Sequence, residues 1–281
     1  RASQAVGMRA FYCHHFVLPL PPAHRFPMAK YARLHARAEA ARERLGIALE
    51  APDAASIEDL LRVHARGYVE AMLEGSVAPE LMRRIGFPWS TAMVERSRRS
   101  SGGTIAALRA ALSGEGVAVN LAGGTHHAAH DRGGGYCVFN DSVVAARNVQ
   151  AAGLARRLLV VDLDVHQGDG TAALCAGDAS ITTFSIHAAR NYPAVKPPSD
   201  IDVALPDGTG DAQYLDTLAR WLPRAIDRAR PDALIYLAGA DPYIGDRLGY
   251  LALSKPGLVQ RDREVLGAAA RRGLPAAVSM A

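Results

Sequence analysis

The chain has 281 residues, 49% hydrophobic and 21% charged. That balance excludes a disordered or fibrous chain, and the length is enough for one large buried core. The formal charge is +4, from 32 basic and 28 acidic residues. It comes from dispersed arginines such as Arg83, Arg84, Arg96, Arg98 and Arg99 with no aromatic-basic motif beside them, so nucleic acid is not an expected partner.

The chain opens Arg-Ala-Ser, without Met or an apolar stretch. This is the expectation for a processed form or a fragment that shows no signal peptide. The first hundred residues read as mostly helical. Residues 104–112 then carry Ile105, Leu108 and Leu112 at helical spacing. Five short apolar runs follow at 117–121, 158–165, 181–186, 233–238 and 276–280. Their apolar character is nearly continuous, as in parallel strands buried on both faces. Helical patterns lie between them: 211–229, with Pro223 as a possible kink point, and 257–272, which ends in Arg271-Arg272-Gly273. Strands alternating with helices predict an α/β domain around a parallel sheet. No repeat, linker or composition break divides it. No run approaches the ~18 apolar residues of a membrane helix, so no membrane partner is expected. Cys13, Cys137 and Cys175 fit neither a disulfide framework nor a zinc cluster. They read as buried small hydrophobes of a protein in the reducing cytoplasm.

In open parallel sheets, ligands bind beyond the carboxyl ends of the strands. The polar clusters fall at those ends: Gly123-Gly124-Thr125-His126-His127, Asp162-Leu163-Asp164-Val165-His166, His187 and Gly239-Ala240-Asp241. On a strand running through 166, Asp162, Asp164 and His166 would share one face. Two carboxylates and an imidazole at one spot call for a cation, and Zn²⁺ suits mixed oxygen and nitrogen ligands. Asp241 would supply a third anionic ligand. The plainer reading, in which these acids cap helices or bind backbone N–H groups, suits Asp162 alone better than the whole set. His126 and His127 follow a Gly-Gly turn. One can take a proton from water and the other return one to a leaving group, given an orienting carboxylate such as Asp162 or Asp169. Gly133-Gly134-Gly135 lacks the Lys and Ser/Thr of a phosphate loop. Tyr136 and Phe139 after it line a substrate channel or belong to the core.

These motifs resemble, in order, those of the histone deacetylase-type zinc hydrolases of the arginase/deacetylase superfamily, nearest the bacterial class IV-like branch. The likeness rests on Gly-Gly-Thr-His-His-Ala at 123–128, Gly-Tyr-Cys-Val-Phe-Asn-Asp at 135–141 and Asp-Leu-Asp-Val-His-Gln-Gly-Asp-Gly-Thr at 162–171. It continues in Phe-Ser-Ile-His at 184–187 and Gly-Ala-Asp-Pro-Tyr-Ile-Gly-Asp-Arg-Leu-Gly at 239–249. The segments 24–31 and 84–89 also resemble that branch, and Gln167 favours it. The resemblance implies a single-domain, three-layer arginase/deacetylase-like α/β fold, with a central, mainly parallel sheet flanked by helices. It implies Zn²⁺ on Asp164, His166 and Asp241, and catalytic pairs His126–Asp162 and His127–Asp169, with His127 as general base. It further implies substrate contacts at Gly135 and Tyr136, and a structural K⁺ or Na⁺ near Asp162, Asp164, His166 and Ser185. The expected partner is an acylated lysine peptide or a small acylated amine.

One departure concerns the family's catalytic Tyr, carried on a Gly-Gly-Tyr loop after the last core strand. Residues 274–281 read as the strand leading into that loop. Neither Tyr136 nor Tyr243 matches the missing Tyr. The expectation is a catalytic domain over 1–281, truncated before the loop. The alternative is a zinc- and acyl-lysine-binding module without turnover.

Overall fold

A computed structural model describes residues 7–281. Its strands are β1 (Met8–Phe11), β2 (Ile47–Glu50), β3 (Val117–Asn120), β4 (Leu158–Asp162), β5 (Ile181–Ala188), β6 (Ile201–Leu205), β7 (Ala233–Leu237) and β8 (Ala276–Ser279). They form one sheet in the order β2-β1-β3-β8-β7-β4-β5-β6, and every neighbouring pair is parallel. The helices are α1 (Ala29–Leu45), α2 (Ile57–Leu61), α3 (Arg66–Glu74), α4 (Pro79–Ile85), α5 (Thr91–Ala110), α6 (Asp141–Ala151), α7 (Asp169–Cys175), α8 (Asp211–Ala229) and α9 (Lys255–Arg271). A π-helical turn, Ala111–Glu115, extends α5.

The alternation of side chains along the central strands divides the interior in two. Leu158 and Val160 of β4, with Ala233, Ile235 and Leu237 of β7, pack among residues of α2, α3, α5 and α6. Leu159 and Val161, with Leu234 and Tyr236, pack on the other side against Tyr214, Leu218 and Leu222 of α8 and Val265 of α9. Helices, sheet and helices therefore make three layers: the expected arginase/deacetylase-like α/β architecture. α8 carries one apolar face and stays helical through Pro223.

The five strands read from the apolar runs are all present. Three more, β1, β2 and β6, were not legible. The run at 158–165 is corrected: the strand stops at Asp162, and Asp164 and His166 lie on the irregular turn beyond it. Cys13, Cys137 and Cys175 are buried free thiols, and burial pushes the Cys175 thiol up to about 12. No helix among the described residues is long and apolar enough to cross a membrane.

Candidate functional site

The sheet delivers three loops to one rim. The loop after β3 carries His126 and His127. Asp141, fully buried at the start of α6, organises it: its carboxylate accepts from Gly124 N at 3.0 Å, Thr125 N at 2.7 Å and Thr104 Oγ1 at 2.6 Å, while Thr125 Oγ1 shares its one proton between Asp141 Oδ1 and Phe139 O. These donors satisfy a buried charge, as burial requires. His64, 1% exposed, props the same loop from beneath. Its Nδ1 donates to Ala129 O at 2.8 Å, and its Nε2 accepts from Asn140 N at 3.0 Å. Burial pushes its pKa down to about 4.

His126 Nδ1 lies 2.7 Å from Asp162 Oδ2, and His127 Nδ1 lies 2.6 Å from Asp169 Oδ1. A carboxylate only accepts, so each Nδ1 carries its proton. The two Nε2 atoms then face each other at 3.2 Å, a distance at which one proton serves both. Burial disfavours both cations, but the charges of Asp162 and Asp164 outweigh it at His126 and raise its pKa to about 9. At His127 burial and the neighbouring His126 cation prevail over Asp169 and lower the pKa to about 4.

The turn after β4 carries Asp164 and His166, and the turn after β7 carries Asp241. His166 Nδ1 sits 2.9 Å from Asp164 Oδ1 and 3.2 Å from Asp241 Oδ2. The donor atoms of the three residues all lie within 4.8 Å of one another. Val165 N donates to Asp241 Oδ1 at 2.9 Å and ties the two turns together. Burial opposes the His166 cation, yet its hydrogen bonds to Asp164 and Asp241 raise its pKa to about 10. Burial and the charge of Asp164 raise the pKa of Asp241. One imidazole nitrogen thus lies between two converging carboxylates. Two oxygens and one nitrogen, buried on most sides but partly open at His166 and Asp241, suit Zn²⁺ with coordination positions to spare.

The remaining expected residues fall as follows. Gly135 adopts φ 51°, and a Cβ there would lie 2.5 Å from His127 Cδ2, so only glycine lets this loop close on the ring. Tyr136 is half-buried against Phe26 and Phe87, whereas Phe139 belongs to the core at 1% exposure. Ser185 pairs in register with Asp162, but its hydroxyl bonds His187 Nδ1 at 2.9 Å. His187 is the penultimate residue of β5, at its carboxyl end as expected, and faces Ser185 and Asp202. Gln167 is buried and donates to Pro197 O and Asp202 Oδ1.

Sequence reasoning missed Tyr192. Its ring stands edge-on to His127, centroids 4.8 Å apart at 87°; the only signal was an aromatic residue before Pro193. Asn191 joins this loop to the one after β7 by donating to Leu248 O and accepting from Tyr250 N. The two loops expose Tyr192, Val195, Ile244, Leu248 and Tyr250.

A rim that pairs a three-donor cluster with two histidine–carboxylate pairs has the equipment of a hydrolase. The comparisons agree. The histone deacetylase domain model matches residues 24–280, so the chain belongs to the histone deacetylase domain family, a family of deacetylase-type hydrolases. It is 42% identical to an uncharacterized protein of Picosynechococcus sp., over 97% of this chain and 90% of the relative. It is 30% identical to histone deacetylase 2 of Arabidopsis thaliana, over 81% of this chain but 61% of that longer protein. It is 27% identical to a probable deacetylase of Archaeoglobus fulgidus, over 92% of this chain and 74% of the relative.

Proposed function

We propose that the chain is a zinc-dependent amide hydrolase that removes acyl groups from N-acyl-lysine or a related acylated amine. The observation that carries this reading is the convergence of Asp164, His166 and Asp241 donors beside two imidazoles whose Nδ1 atoms are both held by carboxylates. The family and the names of the relatives from Arabidopsis and Archaeoglobus support an acylated amine as substrate.

Asp164, His166 and Asp241 would hold the metal. Zinc bound there supplies Lewis acidity toward the amide carbonyl and acidifies water. The protein's own part is proton handling and alignment. His127 Nε2 accepts the proton of the attacking water, while Asp169 fixes the ring through Nδ1. His126 holds a proton at Nε2 for the departing amine, and Asp162 fixes that ring likewise. Gly135 and Tyr136 form one wall beside His127, and the Tyr192 ring flanks it. The apolar rim of the two exposed loops suits the aliphatic stem of an acylated amine.

Turnover of an N-acetyl-lysine reporter with and without a chelator tests the reading. The expected result is hydrolysis that chelation stops and zinc restores. Zinc-dependent binding of the reporter without hydrolysis would make the chain an acyl-lysine-binding module instead. Hydrolysis indifferent to chelation would remove the metal from the reading.

A further inference from the structure

The residue that joins the two turns of the metal cluster is Arg261, on α9. Pairing between β4 and β7 ends at Asp162 and Leu237, and the last rung is Leu163 N donating to Leu237 O at 3.1 Å. Beyond it the strand ladder stops, which leaves the carbonyls of Leu163 and Gly239 without a ladder donor, and buried carbonyls need one. Arg261 Nη1 donates to both, at 3.2 Å to Leu163 O and 2.6 Å to Gly239 O. Leu163 lies between Asp162 and Asp164, and Gly239 lies two residues before Asp241. A Cβ on Gly239 would stand 2.8 Å from Asp164 Oδ2, which shows how closely the turns approach.

The other side of the guanidinium is anchored. Nε and Nη2 donate to Asp262 Oδ1 at 3.0 Å and 2.8 Å, and the same oxygen accepts from Tyr236 Oη at 2.5 Å. The Arg261 side chain is 2% exposed and that of Asp262 40%. A cation buried with so open a partner is a poor source of stability. Its geometry is specific, however: two carbonyls and a carboxylate oxygen require a planar fork of donors, which Lys lacks.

We propose that Arg261 is a positioning residue that sets the spacing between the Asp164–His166 turn and Asp241, and through it the zinc affinity of the site. The proposal rests on the metal site proposed above. Residues behind metal ligands typically change affinity or activity by about 10–100-fold when replaced.

The test titrates zinc against a chromophoric chelator and records the thermal midpoint of each protein. The proteins are the full chain, Arg261→Lys, Asp262→Asn, Asp241→Ala, and Met72→Ala as a control in the core on the opposite face of the sheet from α9. Arg261→Lys should bind zinc about 10–100-fold more weakly, and Asp262→Asn should lose less. Met72→Ala should lower the midpoint yet keep the full chain's affinity. Unchanged affinity in Arg261→Lys overturns the proposal, as does an equal loss in Met72→Ala, which would reduce Arg261 to an ordinary packing residue. If Arg261→Lys does not fold, unchanged affinity in Asp262→Asn overturns it. Zinc lost from Asp241→Ala but kept by Arg261→Lys refutes this inference alone. A full chain that binds no zinc refutes the metal site and the inference with it.

Discussion

The loop after β3 and the turns after β4 and β7 meet at one rim, but opposite means hold them. The histidine loop is held by partners within the chain: the Asp141 carboxylate gathers backbone and hydroxyl donors, His64 closes the loop from below, and Asp162 and Asp169 hold the two imidazoles. The Asp164–His166–Asp241 cluster instead gathers two carboxylates about one imidazole nitrogen, at 2.9 Å and 3.2 Å. Under the proposed function, the difference teaches that the acid–base half is preorganised by the chain, whereas the other half would take a cation. Changes to one should therefore leave the other's readout standing.

The largest expected separation comes from His127→Asn. Losing a general base at this position should lower kcat by about 10²–10⁴ while leaving zinc affinity close to that of the unaltered chain. Joint loss of zinc and turnover would merge the two halves. Gly135→Ala is a finer probe. A methyl group at φ 51° and 2.5 Å from His127 Cδ2 must shift the ring or the loop. A displacement near 1 Å can cost roughly 10² in rate, so kcat should fall toward that figure with zinc retained. Unchanged kcat would show that the ring tolerates displacement.

A third effect is on stability. His64 has a pKa of about 4 in the fold against 6.5 when free, so the folded state favours its neutral form. Its contribution is complete above about pH 6.5 and is lost as pH falls toward 4, roughly 3 kcal/mol in all. Urea unfolding at pH 7, 5.5 and 4.5 should show this loss, and His64→Gln should flatten that part of the curve. An equally steep curve in the variant would assign the slope to other groups.

Much of this was legible beforehand, for physical reasons. Strands such as β4 and β7 are buried on both faces and write continuous apolar runs. β1, β2 and β6 lie toward the sheet margins. Each carries a charged residue, Arg9, Glu50 or Asp202, so the continuous apolar signal is absent. The donors Asp164, His166 and Asp241 were visible as chemistry, but the reason for their convergence was misjudged. A strand through 166 would have put Asp162 on their face; its end at Asp162 instead sends that carboxylate to His126. Arg261 was invisible because an Arg-Asp-Arg stretch in an amphipathic helix reads as solvated surface. Tyr192 was invisible because proximity across loops leaves no local pattern.

The most direct test of the central claim is zinc stoichiometry, by elemental analysis after reconstitution and desalting, on the full chain, Asp241→Ala and His127→Asn. The account predicts about one zinc per chain in the full chain and in His127→Asn, following the single three-donor cluster found among the described residues and the one-ion habit of such sites, and none in Asp241→Ala. Full zinc in Asp241→Ala, or its loss from His127→Asn, would contradict it.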